Sequence, residues 1–114
     1  MDQPGTDSTE VPRGTLDMLI LRSLSLVSMH GFGITKRIEQ ISRGVFRVNP
    51  GSLLLAFQRM EREGLIEAEW RLTENNRRAK FYRITAKGRK RLERETRDWE
   101  RRAAAIARLL EAEG

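Results

Sequence analysis

Apolar residues recur every three to four positions from Leu16 to Val27, with Leu16, Leu19, Ile20, Leu24 and Val27 on one stripe. That is the period of an amphipathic helix. Thr15 stands at its start as N-cap, without the acidic residue three places on that would complete a capping box. Asp17 falls in the expected first turn, where the helix dipole favours an anion. His30-Gly31-Phe32-Gly33 interrupts the pattern. A second helix is predicted from about Ile34 to Ser42, burying Ile34, Ile38 and Ile41, exposing Lys36, Arg37 and Glu39, and ending at Gly44. Val45-Phe46-Arg47-Val48 reads as a short connecting strand. Asn49-Pro50 opens a third helix clearly: asparagine is a preferred N-cap, and proline at the first helical position loses no hydrogen bond. Leu53, Ala56, Phe57 and Met60 give its buried stripe, and Gly64 ends it.

The period then changes from 3.6 to 2. Ile66, Ala68, Trp70 and Leu72 share one face of a predicted half-buried strand, residues 73–79 carry turn chemistry, and Lys80–Thr85 alternates again. This is an antiparallel hairpin with a basic tip. Thr85 caps a long last helix whose apolar seam, Leu92, Thr96, Trp99, Ala103, Ile106 and Leu110, steps by four and three alternately, the spacing of a heptad. So small a core has little surface to spare for a helix of this length, and a matching helix from a second subunit is the better partner. The predicted fold is mainly α with a β-hairpin wing: a winged helix-turn-helix at residues 13–85, a C-terminal dimerisation helix at 86–114, and a flexible N-terminal arm at 1–12.

Charge sharpens this picture. The 114 residues carry a net +6, which favours a polyanionic partner. Residues 71–97 hold eleven Lys and Arg against three acids, a net +8, so the rest of the chain carries −2. The positive field is focused on the hairpin and the helix start after it. The chain contains no cysteine, which excludes disulfides and thiolate metal sites. No apolar run approaches a membrane span and no signal-peptide pattern opens the chain, so the expected location is the cytoplasm. His30, the one histidine, sits in a turn and is expected to be a structural hydrogen-bonder. No nucleophile has a companion base and no residues have metal spacing, so neither an enzyme nor a cofactor is expected.

Taken in order, Arg13-Gly14-Thr15-Leu16-Asp17, His30-Gly31-Phe32-Gly33, Gly51-Ser52-Leu53, Arg59-Met60-Glu61 with Gly64-Leu65-Ile66, Glu69-Trp70, Asn76–Thr85, Gly88 and Trp99 resemble the PadR family of bacterial transcriptional regulators, in its short form with a single C-terminal helix. The resemblance covers about residues 13–112. It implies a dimeric winged-helix repressor on a double-stranded DNA operator with two half-sites, the third helix in the major groove and the wing on backbone or minor groove. Some members respond to small aromatic or drug-like molecules; an effector cannot be read from this chain. One departure stands out. Where the family has Tyr-Pro-Ala-Leu, with the tyrosine commonly on an operator phosphate, this chain has Leu54-Leu55-Ala56-Phe57. Both leucines lie off the buried stripe. One of them has a physical use against a thymine methyl, the alternative being to tuck against the first helix or the wing.

The residues expected to meet DNA follow from this frame. Ser52, at the third-helix N-terminus, is placed to donate to phosphate or to cap locally. Gln58 is the candidate for a base and Arg62 for a phosphate, with Arg59 or Arg62 free to pair instead with Glu63 or Glu61. Arg77, Arg78 and Lys80 in the wing suit phosphate or a narrow minor groove, Lys36 and Arg37 on the second helix the backbone, and Asn75-Asn76 the turn itself. Leu92, Trp99, Ala103, Ile106 and Leu110 form the expected dimer interface. The expected function is a sequence-specific DNA-binding regulator acting as a homodimer; the alternatives are a non-specific nucleic-acid-binding module or a protein-interaction module.

Overall fold

The computed structural model describes residues 9–10 and 13–114, and of Thr9, Glu10, Arg13, His30 and Phe32 the backbone alone. In chain order the elements are β1 (Thr9–Glu10), α1 (Arg13–Leu26), β2 (Met29–His30), α2 (Gly31–Ile41), β3 (Phe46–Arg47), α3 (Pro50–Arg62), β4 (Ile66–Leu72), β5 (Arg78–Ile84) and α4 (Ala86–Glu111). Three helices and a hairpin enclose one core, and α4 runs on past it. The arm predicted at 1–12 lies outside the described residues except for Thr9–Glu10, whose backbone pairs in parallel with Phe46–Arg47. The hydrogen-bonding role expected of the His30 side chain also lies outside what is described.

Leu16, Ile20, Leu21 and Leu24 of α1 meet Ile34 and Ile38 of α2, then Leu53, Ala56, Phe57 and Met60 of α3, with Leu65, Ile66 and Tyr82 closing the hairpin side. Phe57 and Tyr82 stack with ring centroids 4.2 Å apart. The α1 stripe is wider than predicted because this helix touches α2, α3, α4 and β5, so Leu21 is buried as well. Val27, expected on that stripe, lies past the end of α1 and is exposed. Thr15 does not cap α1, which begins two residues earlier at Arg13. Asp17 consequently lies beyond the first turn, and its carboxylate pairs with Arg59 instead. The glycine-bearing break before α2 is shorter than expected: β2 ends at His30 and the helix starts at once with Gly31. Ile41, predicted buried, is exposed, because α2 ends there and the chain turns off the core. The Gly44 N–H reaches back to Glu39 O at 2.8 Å, with Arg43 and Gly44 both at positive φ.

The start of α3 follows its sequence signal in detail. Asn49 Oδ1 accepts the Ser52 N–H at 3.1 Å, and Pro50 occupies the first helical position. At the other end Gly64, at φ 75°, lets the Leu65 N–H turn back to Met60 O at 2.9 Å. β4 and β5 then pair antiparallel, with Ile66 opposite Ile84 and Leu72 opposite Arg78, and β2 adds to the far edge of β5. β5 begins two residues earlier than predicted. The turn is closed by Thr73 N–H to Arg77 O at 2.8 Å and Asn76 N–H to Thr73 O at 3.0 Å, with Asn76 in the left-handed region at φ 58°. A three-residue loop needs such a residue, which is the shaping role expected of the asparagine pair.

Only the root of the hairpin is buried. Ile66 is core and Ala68 half-buried, but Trp70 is 58% exposed and Leu72 is exposed too, against the prediction that all four share a covered face. The ribbon overhangs the helices, and two of its outer rings carry cross-strand cations. The Arg78 guanidinium lies 5.3 Å from the Trp70 ring, and Arg71 lies 4.9 Å from Phe81 on the other face.

Thr85 caps α4 as predicted, its Oγ1 accepting the Gly88 N–H at 3.0 Å. The same hydroxyl faces Gly64 O at 2.6 Å and Leu65 O at 3.0 Å, and the Thr85 N–H donates to Leu65 O at 3.1 Å. The end of α3, the root of the wing and the start of α4 therefore converge on two adjacent carbonyls. Gly88 completes the junction: a Cβ there would overlap Leu65 O and come within 2.8 Å of Ile84 Cγ1.

Candidate nucleic-acid interface

The buried residues of α3 fix which side faces out. At 3.6 residues per turn, the line opposite Leu53, Ala56, Phe57 and Met60 is Gly51, Leu55, Gln58 and Arg62, and all four are exposed. Gln58 and Arg62 share a shallow depression with Glu61, and neither makes an ion pair among the described residues. Ser52 is exposed in the first turn, its backbone N–H held by Asn49. Lys36 and Arg37 are exposed on α2.

The two flanks of α3 are tied to different neighbours. Toward the wing, Lys80 Nζ donates to Glu61 Oε1 at 3.2 Å and lies 5.6 Å from the Tyr82 ring. That hydrogen bond holds the Lys80 proton above its ordinary range. Burial likewise raises the Tyr82 phenol, with Lys80 opposing it. Between this flank and the wing lies an open groove of ≈ 570 Å³ with a mainly apolar floor that includes Leu54, Phe57 and Tyr82, and a rim formed by Arg77, Arg78 and Lys80. Arg77 and Arg78 form no ion pair among the described residues, whereas Arg83 is held by Glu67 at 2.7 Å across the strands and Arg71 by Glu69. The free wing cations thus stand on the side shared with α3.

Toward α1 and α4, Arg59 bridges Asp17 and, at 3.8 Å, Glu63. Glu63 also meets Arg91 at 3.9 Å, and Arg91 meets Glu95 at 3.7 Å. Burial pushes the Glu95 carboxyl up, opposed by Arg91, with the Asp17 charge adding to the rise. This ladder of five side chains turns Arg59 away from the outward line and clamps α3 to α1 and α4. The sequence offered Glu63 as a partner for Arg59; Asp17, 42 residues away, carried no local signal.

Along α4, Leu92 packs on the core and Thr96 is half-buried, but the rest of the seam is bare. Trp99 is 50% and Ile106 56% exposed, and Ala103 and Leu110 are open. Leu109, which the heptad omitted, is exposed beside Leu110 and widens the apolar strip. Among the described residues no helix is long and apolar enough to cross a membrane, and no group of three His, Cys, Asp or Glu is placed to hold a metal.

A helix held by its inner face beneath an arginine-tipped hairpin is the architecture of a winged-helix DNA-binding regulator. The chain belongs to the PadR-like family of transcriptional regulators, whose profile matches residues 20–94. It is similar over 97 residues, at 31% identity, to a transcriptional regulator of Mycobacterium tuberculosis, covering 85% of this chain and 87% of that one. A solved transcriptional regulator from Clostridium thermocellum superposes with a TM-score of 0.79 at 28% identity, covering 87% of this chain and 93% of the other. A PadR-like transcriptional regulator from Bacillus cereus gives 0.77 at 27% identity, covering 89% and 96%. The family and these neighbours are transcriptional regulators.

Proposed function

We propose that the protein is a repressor that binds double-stranded operator DNA as a homodimer, one winged helix to each of two half-sites. The observation that carries this reading is the set of unpaired polar groups on one side of the fold: Gln58 and Arg62 on the outward line of α3, and Arg77 and Arg78 on the adjoining wing. Within it α3 enters the major groove, where Gln58 pairs with an adenine edge. Arg62 and Ser52 hold phosphates on either side, aided by the α3 N-terminus. Arg77, Arg78 and Lys80 meet backbone or minor groove, and Lys36 and Arg37 steady the neighbouring strand. The bare strip from Trp99 to Leu110 pairs with its copy to set the two reading heads at a fixed separation. Occupancy of the operator then blocks transcription.

Footprinting on the DNA upstream of the protein's own gene, with random DNA as competitor at moderate salt, tests this. Two protected half-sites that survive competition are the expected result. Protection erased equally by random DNA points to non-specific binding, since phosphate contacts are common to both modes. No retention of any fragment at low salt points to a protein-interaction module.

A further inference from the structure

We infer that Leu55 reads a thymine methyl group beside the base contacted by Gln58, an inference that rests on the DNA reading above and names what its central side chain recognises. The two leucines of α3 have different surroundings. Leu54 lines the groove beneath the wing, with Phe57, Arg78 and Lys80 around it. Leu55 does not line that groove; it is 65% exposed and stands on the outermost line between Gly51 and Gln58. Its flanks are taken, by the Glu61–Lys80 bond on one side and by the Arg59 ladder on the other. A lone exposed leucine is ordinary on a protein surface. One at the centre of the line that leads into a groove is not, because base edges there present donors, acceptors and a single apolar group, the thymine C5-methyl.

Against adenine, guanine or cytosine a leucine strips water from polar edges and returns no hydrogen bond. Against thymine it buries a methyl. Gly51, one turn earlier, has no side chain to hold the helix off the bases. Three residues of helix advance about 4.5 Å, close to the spacing of neighbouring base pairs, so Leu55 and Gln58 address adjacent positions. The half-site therefore contains a thymine next to an adenine-bearing pair.

The test uses the full-length protein and a duplex pool of random sequence. After selection, each thymine of the enriched site is replaced in turn by deoxyuridine, which removes only the methyl. One position per half-site should lose about fourfold in affinity, the transfer of one methyl-sized group, and about fifteenfold when both half-sites are changed. Leu55→Ser, at an exposed position, should keep the wild-type melting temperature and bind the thymine and uracil duplexes equally. Gln58→Ala should bind more weakly but keep the thymine preference. The inference is overturned if no position responds to uracil, if Leu55→Ser keeps the wild-type response, or if Leu54→Ser rather than Leu55→Ser abolishes it. A pool that yields no enriched sequence overturns the DNA reading itself as well.

Discussion

Replacing Gly88 with alanine probes the junction that positions both α3 and the wing. On helix propensity alone the change should help, by about 1 kcal/mol, since glycine is a poor residue inside a helix. The packing argues the opposite sign. The new methyl would overlap Leu65 O and crowd Ile84 Cγ1 and the Leu65 carbonyl carbon, at 2.8 and 3.1 Å. Two of these are backbone atoms already fixed by the Thr85 N–H and hydroxyl, so they cannot swing aside. The first turn of α4 must lift instead. Overpacking of this kind costs about 1–3 kcal/mol, and loss of the two Thr85 bonds adds about 0.5–1.5 kcal/mol each. After the propensity gain, a net destabilisation of about 1–5 kcal/mol is expected, at roughly 4 °C in Tm per kcal/mol for a chain of this size. Thermal and urea unfolding followed by circular dichroism, at one fixed protein concentration, measures it. An unchanged or raised Tm would refute the reasoning and show that α4 does not press on Leu65.

Three further outcomes are expected. Arg77→Ala/Arg78→Ala should fold normally but bind all duplexes more weakly, with a salt slope smaller by about two per protomer; an unchanged affinity and slope in a salt titration would place the wing off the DNA. Burying the exposed halves of Trp99 and Ile106 in both protomers contributes about 3–6 kcal/mol, so Trp99→Ala/Ile106→Asp should weaken dimerisation by about two to four orders of magnitude in sedimentation, and a monomeric wild type at micromolar concentration would end that account. Because burial raises the Glu95 carboxyl in the fold, its contribution to stability is full while it is protonated and is lost as pH climbs from the ordinary carboxylate range through the raised value. Glu95→Gln should therefore gain in Tm relative to wild type across that window and then level off, and a difference independent of pH would count against a desolvated carboxyl.

What could be read from the sequence was local chemistry. Asn49-Pro50 and Thr85 name their helix starts because the capping atoms lie within three residues, and the α3 core stripe is complete because one helix face meets one core. The hairpin was legible as a hairpin, but alternation says only which residues share a face, not how far the body beneath extends. Trp70 and Leu72 lie past its edge. Ile41 failed for a related reason: periodicity continues to the last helical residue even where the chain has left the core. The Asp17–Arg59 and Glu61–Lys80 pairs join separate elements and leave no trace in spacing. Gly88 did leave one. A glycine amid Ala, Lys and Arg in a helix start is locally unfavourable, and that alone asks for a close neighbour. Of the interface, the residue types and the outward line opposite the α3 stripe were legible, and which neighbour occupies each flank of α3 was not.

The convergence of three elements on the Gly64 and Leu65 carbonyls makes the wing a lever with its fulcrum at α4. β4 runs seven residues from that point, about 23 Å at some 3.3 Å per residue, to the turn that carries Arg77. A tilt of the hairpin of about 10° about the junction would carry the wing tip through about 4 Å, farther than a hydrogen bond tolerates. Small adjustments at the junction are thus magnified at the arginines.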